Sequence, residues 1–198
     1  MKKIIIATKN QGKIFEIKTA FKNLPVEIIS LFELGELPDA VENGNTFAEN
    51  ALIKARFYAS ETNCACLADD SGLEVDALNG MPGIYSARFS GFHADDDTNN
   101  MKLLDELDRV GVEESKADYR CAVAFVDTDG TIFETEGVCY GIIKKIAQGK
   151  AGFGYDPYFY IEDNKAMAEL TLEQKDKISH RGEALRKMLD LLSDYLCK

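Results

Sequence analysis

The chain begins with the feature that most restricts its fold, an apolar strand that leads directly into an amphipathic helix. Ile4 to Ala7 is a continuous apolar run rich in β-branched residues, which is typical of a buried strand. After the polar stretch Thr8 to Lys13, apolar residues recur at helical spacing, at Ile14, Ile17, Phe21 and Leu24. We therefore predict a strand, a polar loop and a helix in succession, with Thr8 or Asn10 as the helix cap.

Two lysines in this loop indicate an anion. Lys9 and Lys13 lie at or beside the first turn of the predicted helix, where the helix dipole disfavours cations. A bound anion would resolve the conflict, because helix N-termini and lysines together hold phosphates well. The GxxxxGK[ST] spacing of a P-loop is absent, and ordinary solvated lysines are an equally simple interpretation of this loop alone.

A second polar stretch, Ala68-Asp69-Asp70-Ser71-Gly72, follows the apolar residues Cys66 and Leu67. We predict that a short buried strand ends here and gives way to a turn. Neighbouring side chains on a strand point to opposite faces, so Asp69 and Asp70 are expected to do different jobs. One can face a cleft while the other fixes the turn. The alternative is a purely structural Asx-type turn, in which the Asp and Ser side chains hydrogen-bond to the local backbone.

The remaining periodic segments alternate between strands and helices. Further strands are predicted at 26–31, 119–128, 132–140 and 158–161, and further helices after Thr46, Thr98 and Ser179. Thr46 and Glu49 form a capping box, which gives Glu49 a structural explanation. Glu42 has none and is the better candidate for a metal ligand. Asp95 to Asp97 precede a helix, where acids favour the dipole, and we interpret them as structural.

Two further stretches can carry binding groups. Gly152-Phe153-Gly154-Tyr155-Asp156-Pro157 combines glycines with aromatic rings, which suits either stacking on a flat ring or a tight turn with buried rings. The last helix opens with His180 and Arg181, so the dipole argument again predicts an anion at a helix start.

Composition limits the class of partner. A chain of 198 residues with 45% hydrophobic content can form one domain or two closely joined lobes. Its net charge of -11 argues against duplex nucleic acid or an anionic membrane surface as the main partner. Five cysteines without a CxxC pair indicate reduced thiols in a cytosolic protein. The apolar run after Lys3 is too short for a signal peptide or a membrane span.

Six stretches spanning nearly the whole chain are informative as a set, namely Thr8–Lys13, Gly44–Ala55, Ala68–Leu73, Met81–Arg88, Gly152–Pro157 and Ser179–Arg181. In this order they resemble the signatures of the inosine triphosphate pyrophosphatase family, the noncanonical purine nucleoside triphosphate pyrophosphatases. The resemblance implies hydrolysis of ITP, dITP and XTP to the monophosphate and pyrophosphate with Mg²⁺. It also implies an α/β fold and a homodimer. The fold would be a curved mixed sheet forming two helix-flanked lobes of one domain, 1–198, with a central substrate cleft.

The resemblance further implies roles for individual residues. Asp70 would be the catalytic base, and Glu42 and Asp70 would hold the metal, with Glu49 as the rival of Glu42. Substrate would be bound by Thr8, Lys9, Asn10, Gln11, Gly12, Lys13, Lys54, Ser71, Phe153, Gly154, Tyr155, Asp156, Lys175, His180 and Arg181. Phe153 to Asp156, Lys175, His180 and Arg181 would surround the base, whereas the dipole argument puts an anion at His180 and Arg181.

Two other classes of function remain open at this stage. A nucleotide-binding sensor would hold a triphosphate without hydrolysing it, and would have no need of a carboxylate such as Asp70 beside the phosphates. A metal phosphatase acting on phosphomonoesters would release orthophosphate rather than pyrophosphate.

Overall fold

The computed structural model describes residues 2–92, 94–161 and 164–197. Its strands are β1 (Lys2–Ile6), β2 (Val26–Ser30), β3 (Ala65–Val75), β4 (Glu114–Val126), β5 (Ile132–Lys144), β6 (Phe159–Ile161) and β7 (Lys165–Ala166). Its helices are α1 (Gln11–Ala20), α2 (Phe47–Thr62), α3 (Asp96–Val110), α4 (Leu172–Ile178) and α5 (His180–Leu196). The strands form one mixed sheet in the order β2-β1-β3-β4-β5-β6-β7, flanked by the helices. The predicted mixed α/β class is confirmed.

The parallel part of the sheet is built on β1. Strand β1 pairs in parallel with β2 on one side and with β3 on the other, so that Ile5 lies opposite Ile29 and Cys66. Helix α1 connects β1 to β2, and α2 precedes β3, as parallel pairing requires. The isoleucines of β1 are buried on both faces of the sheet, which explains the continuous apolar run at the start of the chain.

Strand β3 differs from the sequence-based prediction. The strand was expected to end at Ala68, but it continues without a turn through Asp69, Asp70 and Ser71 to Val75. Asp, Ser and Gly are poor strand formers, yet pairing outweighs local propensity because β3 lies between β1 and β4. The predicted opposition of Asp69 and Asp70 is retained, since adjacent side chains of a continuous strand point to opposite faces.

Contacts divide the chain into two units. Unit 1 comprises the residues up to Asp70, Cys121–Gly137 and those from Arg181 onward, and unit 2 comprises Ser71–Arg120 and Val138–His180. Strands β3, β4 and β5 each contribute residues to both units. The core of unit 1 packs α1 and α5 on one face of β1, β3 and β4, with Ile4, Ile17, Leu67, Phe125 and Met188 among its buried members. The core of unit 2 includes Leu73, Leu103, Tyr119, Ile143 and Phe159.

Several local signals are confirmed. Asn10 caps α1, because its side chain accepts a hydrogen bond from the Lys13 N–H, and Thr46 caps α2 through the Glu49 N–H. The three acids belong to the start of α3, which is capped by Asp95 and ends at Gly111. Helix α4 was not predicted. Within the described ranges, no helix is both long enough and apolar enough to cross a membrane.

Candidate functional site

The loop after β1 presents cations at the start of α1. No acidic residue lies in the first turn of α1, so the helix dipole there is not offset by its own helix. The Asn10 Oδ1 atom accepts the Lys13 N–H at 3.1 Å, and the Thr8 Oγ1 atom accepts the Asn10 N–H at 3.2 Å. These bonds fix the loop backbone. The exposed Lys9 ammonium instead lies 2.5 Å from an Asp39 carboxylate oxygen.

Asp69 is the centre of a buried charge cluster in unit 1. Its Oδ2 atom lies 2.9 Å from the Lys13 Nζ atom and 3.2 Å from the Arg181 Nε atom. The Arg181 Nη1 atom in turn lies 2.7 Å from the Glu16 Oε2 atom. Asp69 and Arg181 are only 1% and 2% exposed, so these charges interact with little screening by solvent.

Electrostatics favour the charged forms of this cluster. Burial alone would raise the pKa of Asp69, but the positive charges of Lys13, Arg181 and Lys54 lower it below its ordinary value. Burial opposes the charge on Arg181 as well, yet Asp69 and Glu16 raise the pKa of its guanidinium. The cation at the start of α5 is therefore balanced by two carboxylates of the protein itself.

Asp70 belongs to a second group of charges in unit 1. Lys54 on α2 donates from Nζ to the Glu42 Oε2 atom at 2.6 Å, and the charge of Asp70 also acts on Lys54. The buried Asn50 side chain hydrogen-bonds to Asp70, and its Oδ1 atom accepts the Gly44 N–H at 2.8 Å. Asn50 therefore connects the Asp70 carboxylate to the loop that leads into α2.

Asp70 differs from Asp69 in its protonation equilibrium. Burial raises the pKa of Asp70, and the nearby Glu42 charge raises it further, while Lys54, Lys13 and Asn50 act in the opposite direction without cancelling the rise. A carboxylate with a raised pKa is a stronger base than an ordinary aspartate. Two adjacent aspartates of one strand thus have opposite pKa shifts, which is the pattern expected for different roles.

In unit 2, the glycine-rich aromatic loop is organised by a buried carboxylate. The Asp156 Oδ2 atom accepts the Phe153 N–H at 3.0 Å and a hydrogen bond from the Lys175 Nζ atom at 2.6 Å. The Lys175 Nζ atom also lies 4.5 Å from the centre of the Phe153 ring, within the range of a cation–π contact. The half-buried Phe153 ring is therefore held by Lys175 and Asp156 together.

The same carboxylate interacts with a stacked pair of rings. Tyr119 hydrogen-bonds to Asp156, and its ring lies parallel to that of His180 with centroids 4.7 Å apart. Burial first, and then the charge of Asp156, raise the pKa of Tyr119, so its hydroxyl remains protonated. His180, Tyr119 and Asp156 are all buried and form one connected group in unit 2.

The predicted site residues thus fall into groups, each described within its own unit. Unit 1 brings Lys13 together with Arg181, and Lys54 with Glu42 and Asp70. Unit 2 brings together Phe153, Gly154, Tyr155, Asp156, Lys175 and His180 in the loop and ring contacts, and Ser71 is the first unit 2 residue of β3. Glu49 instead accepts the Asn45 N–H at 2.6 Å beside the start of α2.

Three residues of these groups were not singled out by sequence reasoning. Glu16 lies three residues after Lys13, a spacing that puts both on one face of α1, but nothing local indicates its bond to Arg181. Asn50 lies inside a stretch that resembles the family and could have been found there. Tyr119 is at an inward-facing position of β4 and was indistinguishable from core.

These features define a class of protein: a mixed α/β fold in which buried carboxylates and cations lie together where parallel strands β1 and β3 run side by side. The sequence profile of the Ham1 family matches residues 4–191. A dITP/XTP pyrophosphatase of Bacillus anthracis is 46% identical over 198 residues, covering 98% of both chains. The chain therefore belongs to the Ham1 family.

Solved structures agree with this assignment. A HAM1 protein from Coxiella burnetii superposes with a TM-score of 0.89 at 37% identity, covering 98% of this chain and 100% of that one. The Ham1 protein of Staphylococcus aureus gives a TM-score of 0.86 at 40% identity with the same coverage. Similarity at these levels extends over the whole fold rather than over a single motif.

Proposed function

We propose that this protein hydrolyses noncanonical purine nucleoside triphosphates, namely ITP, dITP and XTP, to the monophosphate and pyrophosphate. Relatives that align over nearly the whole chain are dITP/XTP pyrophosphatases. The observation that carries the assignment to particular residues is the contrast between Asp69 and Asp70. One carboxylate is held ionised by cations, while its neighbour has a raised pKa beside a lysine and a second carboxylate.

The phosphates are assigned to the cations of unit 1 and to the loop Thr8 to Lys13. The Lys13 and Lys54 ammonium groups offset the charge of the triphosphate and of the leaving pyrophosphate. Each ammonium has three donors, so the contacts of Lys13 with Asp69 and of Lys54 with Glu42 leave donors that a phosphate oxygen can use. The N–H groups at the start of α1 add further donors, and the Ser71 hydroxyl is assigned to the same phosphates.

The donor set fits Mg²⁺. Within residues 2–92, 94–161 and 164–197, no three His, Cys, Asp or Glu side chains are grouped so as to hold a metal. Mg²⁺ needs only one or two carboxylates, with phosphates and waters as its other ligands. Glu42 and Asp70 both act on Lys54, so two hard oxygen donors lie near one point, whereas Glu49 is engaged at the helix start. Bound Mg²⁺ would neutralise phosphate charge and lower the pKa of a coordinated water.

Asp70 is assigned as the base toward the attacking water. Its raised pKa increases its affinity for the proton that water must lose, while Asn50 fixes the orientation of the carboxylate. The charge of Lys54 opposes the rise and so favours the ionised form that a base requires.

The purine base is assigned to the residues that the family resemblance implies for it, namely Phe153 to Asp156, Lys175, His180 and Arg181. The Phe153 ring offers a face for stacking and is flanked by Gly152 and Gly154. Hypoxanthine and xanthine carry a keto oxygen at position 6, an acceptor that suits donors such as Lys175, His180 and Arg181. Adenine presents a donor at this position and would be disfavoured.

The deciding experiment is the identification of the inorganic product. Purified protein incubated with ITP and Mg²⁺ should release pyrophosphate and IMP in equal amounts, and Asp70→Asn should release neither. Orthophosphate as the first product would indicate a phosphatase instead. Tight binding of ITP without any product would indicate a nucleotide sensor.

The assembly and the compartment are part of the same proposal. We expect a homodimer, which light scattering coupled to size-exclusion chromatography would test directly. We expect the reaction in the cytoplasm, where the five cysteines stay reduced.

A further inference from the structure

Helix α3 contacts the aromatic loop of unit 2, residues 152–157, through the backbone N–H and carbonyl groups of Gly154. The Gly154 N–H donates to the Asp96 Oδ2 atom at 2.7 Å, and the Gly154 carbonyl oxygen accepts from the Asn100 Nδ2 atom at 2.9 Å. Asp96 and Asn100 are four residues apart and therefore lie on the same face of α3. One turn of this helix thus holds both backbone polar groups of a single residue, Gly154.

Gly154 has no backbone preference of its own that would fix its conformation. Gly154 has a φ of 64°, and Gly152, two residues earlier, has a φ of 80°. Because glycine has no Cβ atom, its backbone can adopt many conformations. A loop with two glycines therefore samples several conformations unless other contacts select one. Asp156 and Lys175 hold the Phe153 end of the loop, and the Tyr155 hydroxyl donates to the Ser86 carbonyl at 2.8 Å. The backbone of Gly154, between Phe153 and Tyr155, is held by α3.

We propose that Asp96 and Asn100 are positioning residues, which set the backbone of Gly154 and thereby the orientation of the Phe153 ring toward the purine base. This inference rests on the proposed function, in which that ring stacks on the base. Neither side chain is assigned a contact with the nucleotide. Asp96 therefore does more than favour the helix dipole, the role that its place in an acidic run predicts.

The expected kinetic effect follows from the reaction, in which a phosphoanhydride bond breaks and no bond of the purine base changes. Losing one of these hydrogen bonds should lower kcat/KM for ITP about three- to tenfold, and losing both more than 10-fold. The change should lie in KM, with kcat nearly unchanged, because base binding is the same in the ground state and the transition state. Tripolyphosphate, which has no base, should inhibit the variants as strongly as the wild type.

The chain offers matched controls. Asp97→Ala removes the same charge from the same turn of α3, but the Asp97 side chain lies about 100° around the helix from Asp96, and KM should not change. Asp96→Asn keeps an acceptor oxygen for the Gly154 N–H and should restore most of the affinity lost in Asp96→Ala. Asp96 is exposed, so its substitution tests the proposal even where Asn100→Ala lowers folding stability.

The measurements are steady-state kinetics with ITP, tripolyphosphate inhibition and melting temperature for Asp96→Ala, Asn100→Ala and Phe153→Ala. Combining Asp96→Ala with Phe153→Ala should give less than the product of the two effects, since both act through the same ring. A raised KM in Phe153→Ala with normal KM in both α3 variants would overturn the positioning role alone. An unchanged KM in Phe153→Ala would overturn the assigned base site and the inference with it. Equal loss of ITP and tripolyphosphate binding would show a general structural defect and refute the proposal.

Discussion

Substituting Asn for Asp69 tests the central electrostatic interpretation of unit 1. The change preserves the shape of the side chain and removes only its charge. Lys13 then loses its carboxylate partner, and Arg181, only 2% exposed, retains Glu16. Removing one member of a buried ion pair leaves the remaining charge poorly solvated, which costs about 3–5 kcal/mol. For a chain of this length, that corresponds to a melting temperature lower by about 6–20 °C.

The stability lost in Asp69→Asn should depend on pH in a definite direction. The pKa of Asp69 is lower in the folded state than in the unfolded state, so the ionised carboxylate stabilises the fold. That contribution is fully present above the ordinary aspartate pKa of about 3.9 and is lost as pH falls through the lower, folded value. The difference in unfolding free energy between wild type and Asp69→Asn should therefore be constant from about pH 5 to 8 and shrink below about pH 4.

Asp70→Asn is the matched control on the same strand. The pKa of Asp70 is raised in the folded state, so its ionised form opposes folding, and that opposition disappears as pH falls below the raised value. Neutralising it should leave the melting temperature unchanged or higher, while pyrophosphate release falls by about 10²-fold or more. Chemical denaturation followed by circular dichroism, without Mg²⁺, gives the free energy of unfolding of each variant. Equal destabilisation by the two substitutions, or none by Asp69→Asn, would refute the reasoning.

Other consequences can be measured with the same substrates. Lys13→Ala should weaken every nucleoside triphosphate alike and flatten the salt dependence of KM, and an effect on ITP only would contradict phosphate contact. Lys54→Met should move the acid limb of kcat/KM to higher pH, because Lys54 lowers the pKa of Asp70; a shift to lower pH would exclude this coupling. Arg181→Lys should narrow the preference for ITP over ATP, since lysine lacks the planar guanidinium, and an unchanged ratio would remove Arg181 from base recognition. EDTA should abolish turnover and Mg²⁺ should restore it, whereas full activity in EDTA would rule out a metal requirement.

Local sequence patterns predict the helices and strands of this fold well where the apolar residues follow a single periodicity. The signals in question are local: the apolar run of β1, the caps Asn10 and Thr46, and the acids at the start of α3. Helix α4 was missed although Thr171 and Gln174 form a capping box, a signal present in the sequence. The continuation of β3 could not be predicted in this way, because it depends on pairing with strands far along the chain.

For the candidate site, too, some features can be predicted from the sequence and others cannot. The type of residue at each position, such as the paired aspartates and the lysine of α1, can be read from the sequence. Their partners cannot, since the carboxylate of Glu16 meets a guanidinium 165 residues away. Nor does the sequence show that Asp69 and Asp70 have opposite pKa shifts, because burial and the positions of three cations decide the sign.

If Lys13 binds phosphate as proposed, its contact with Asp69 means that part of the ordering needed for ligand binding is completed during folding. A free lysine side chain loses roughly 1.5–2 kcal/mol of rotational entropy when it is immobilised. Because the Lys13 Nζ atom lies 2.9 Å from an Asp69 carboxylate oxygen within the fold, folding itself orders this side chain. On the proposed assignment, the buried Asp69 would raise affinity for the nucleotide by holding Lys13 in place before the nucleotide binds.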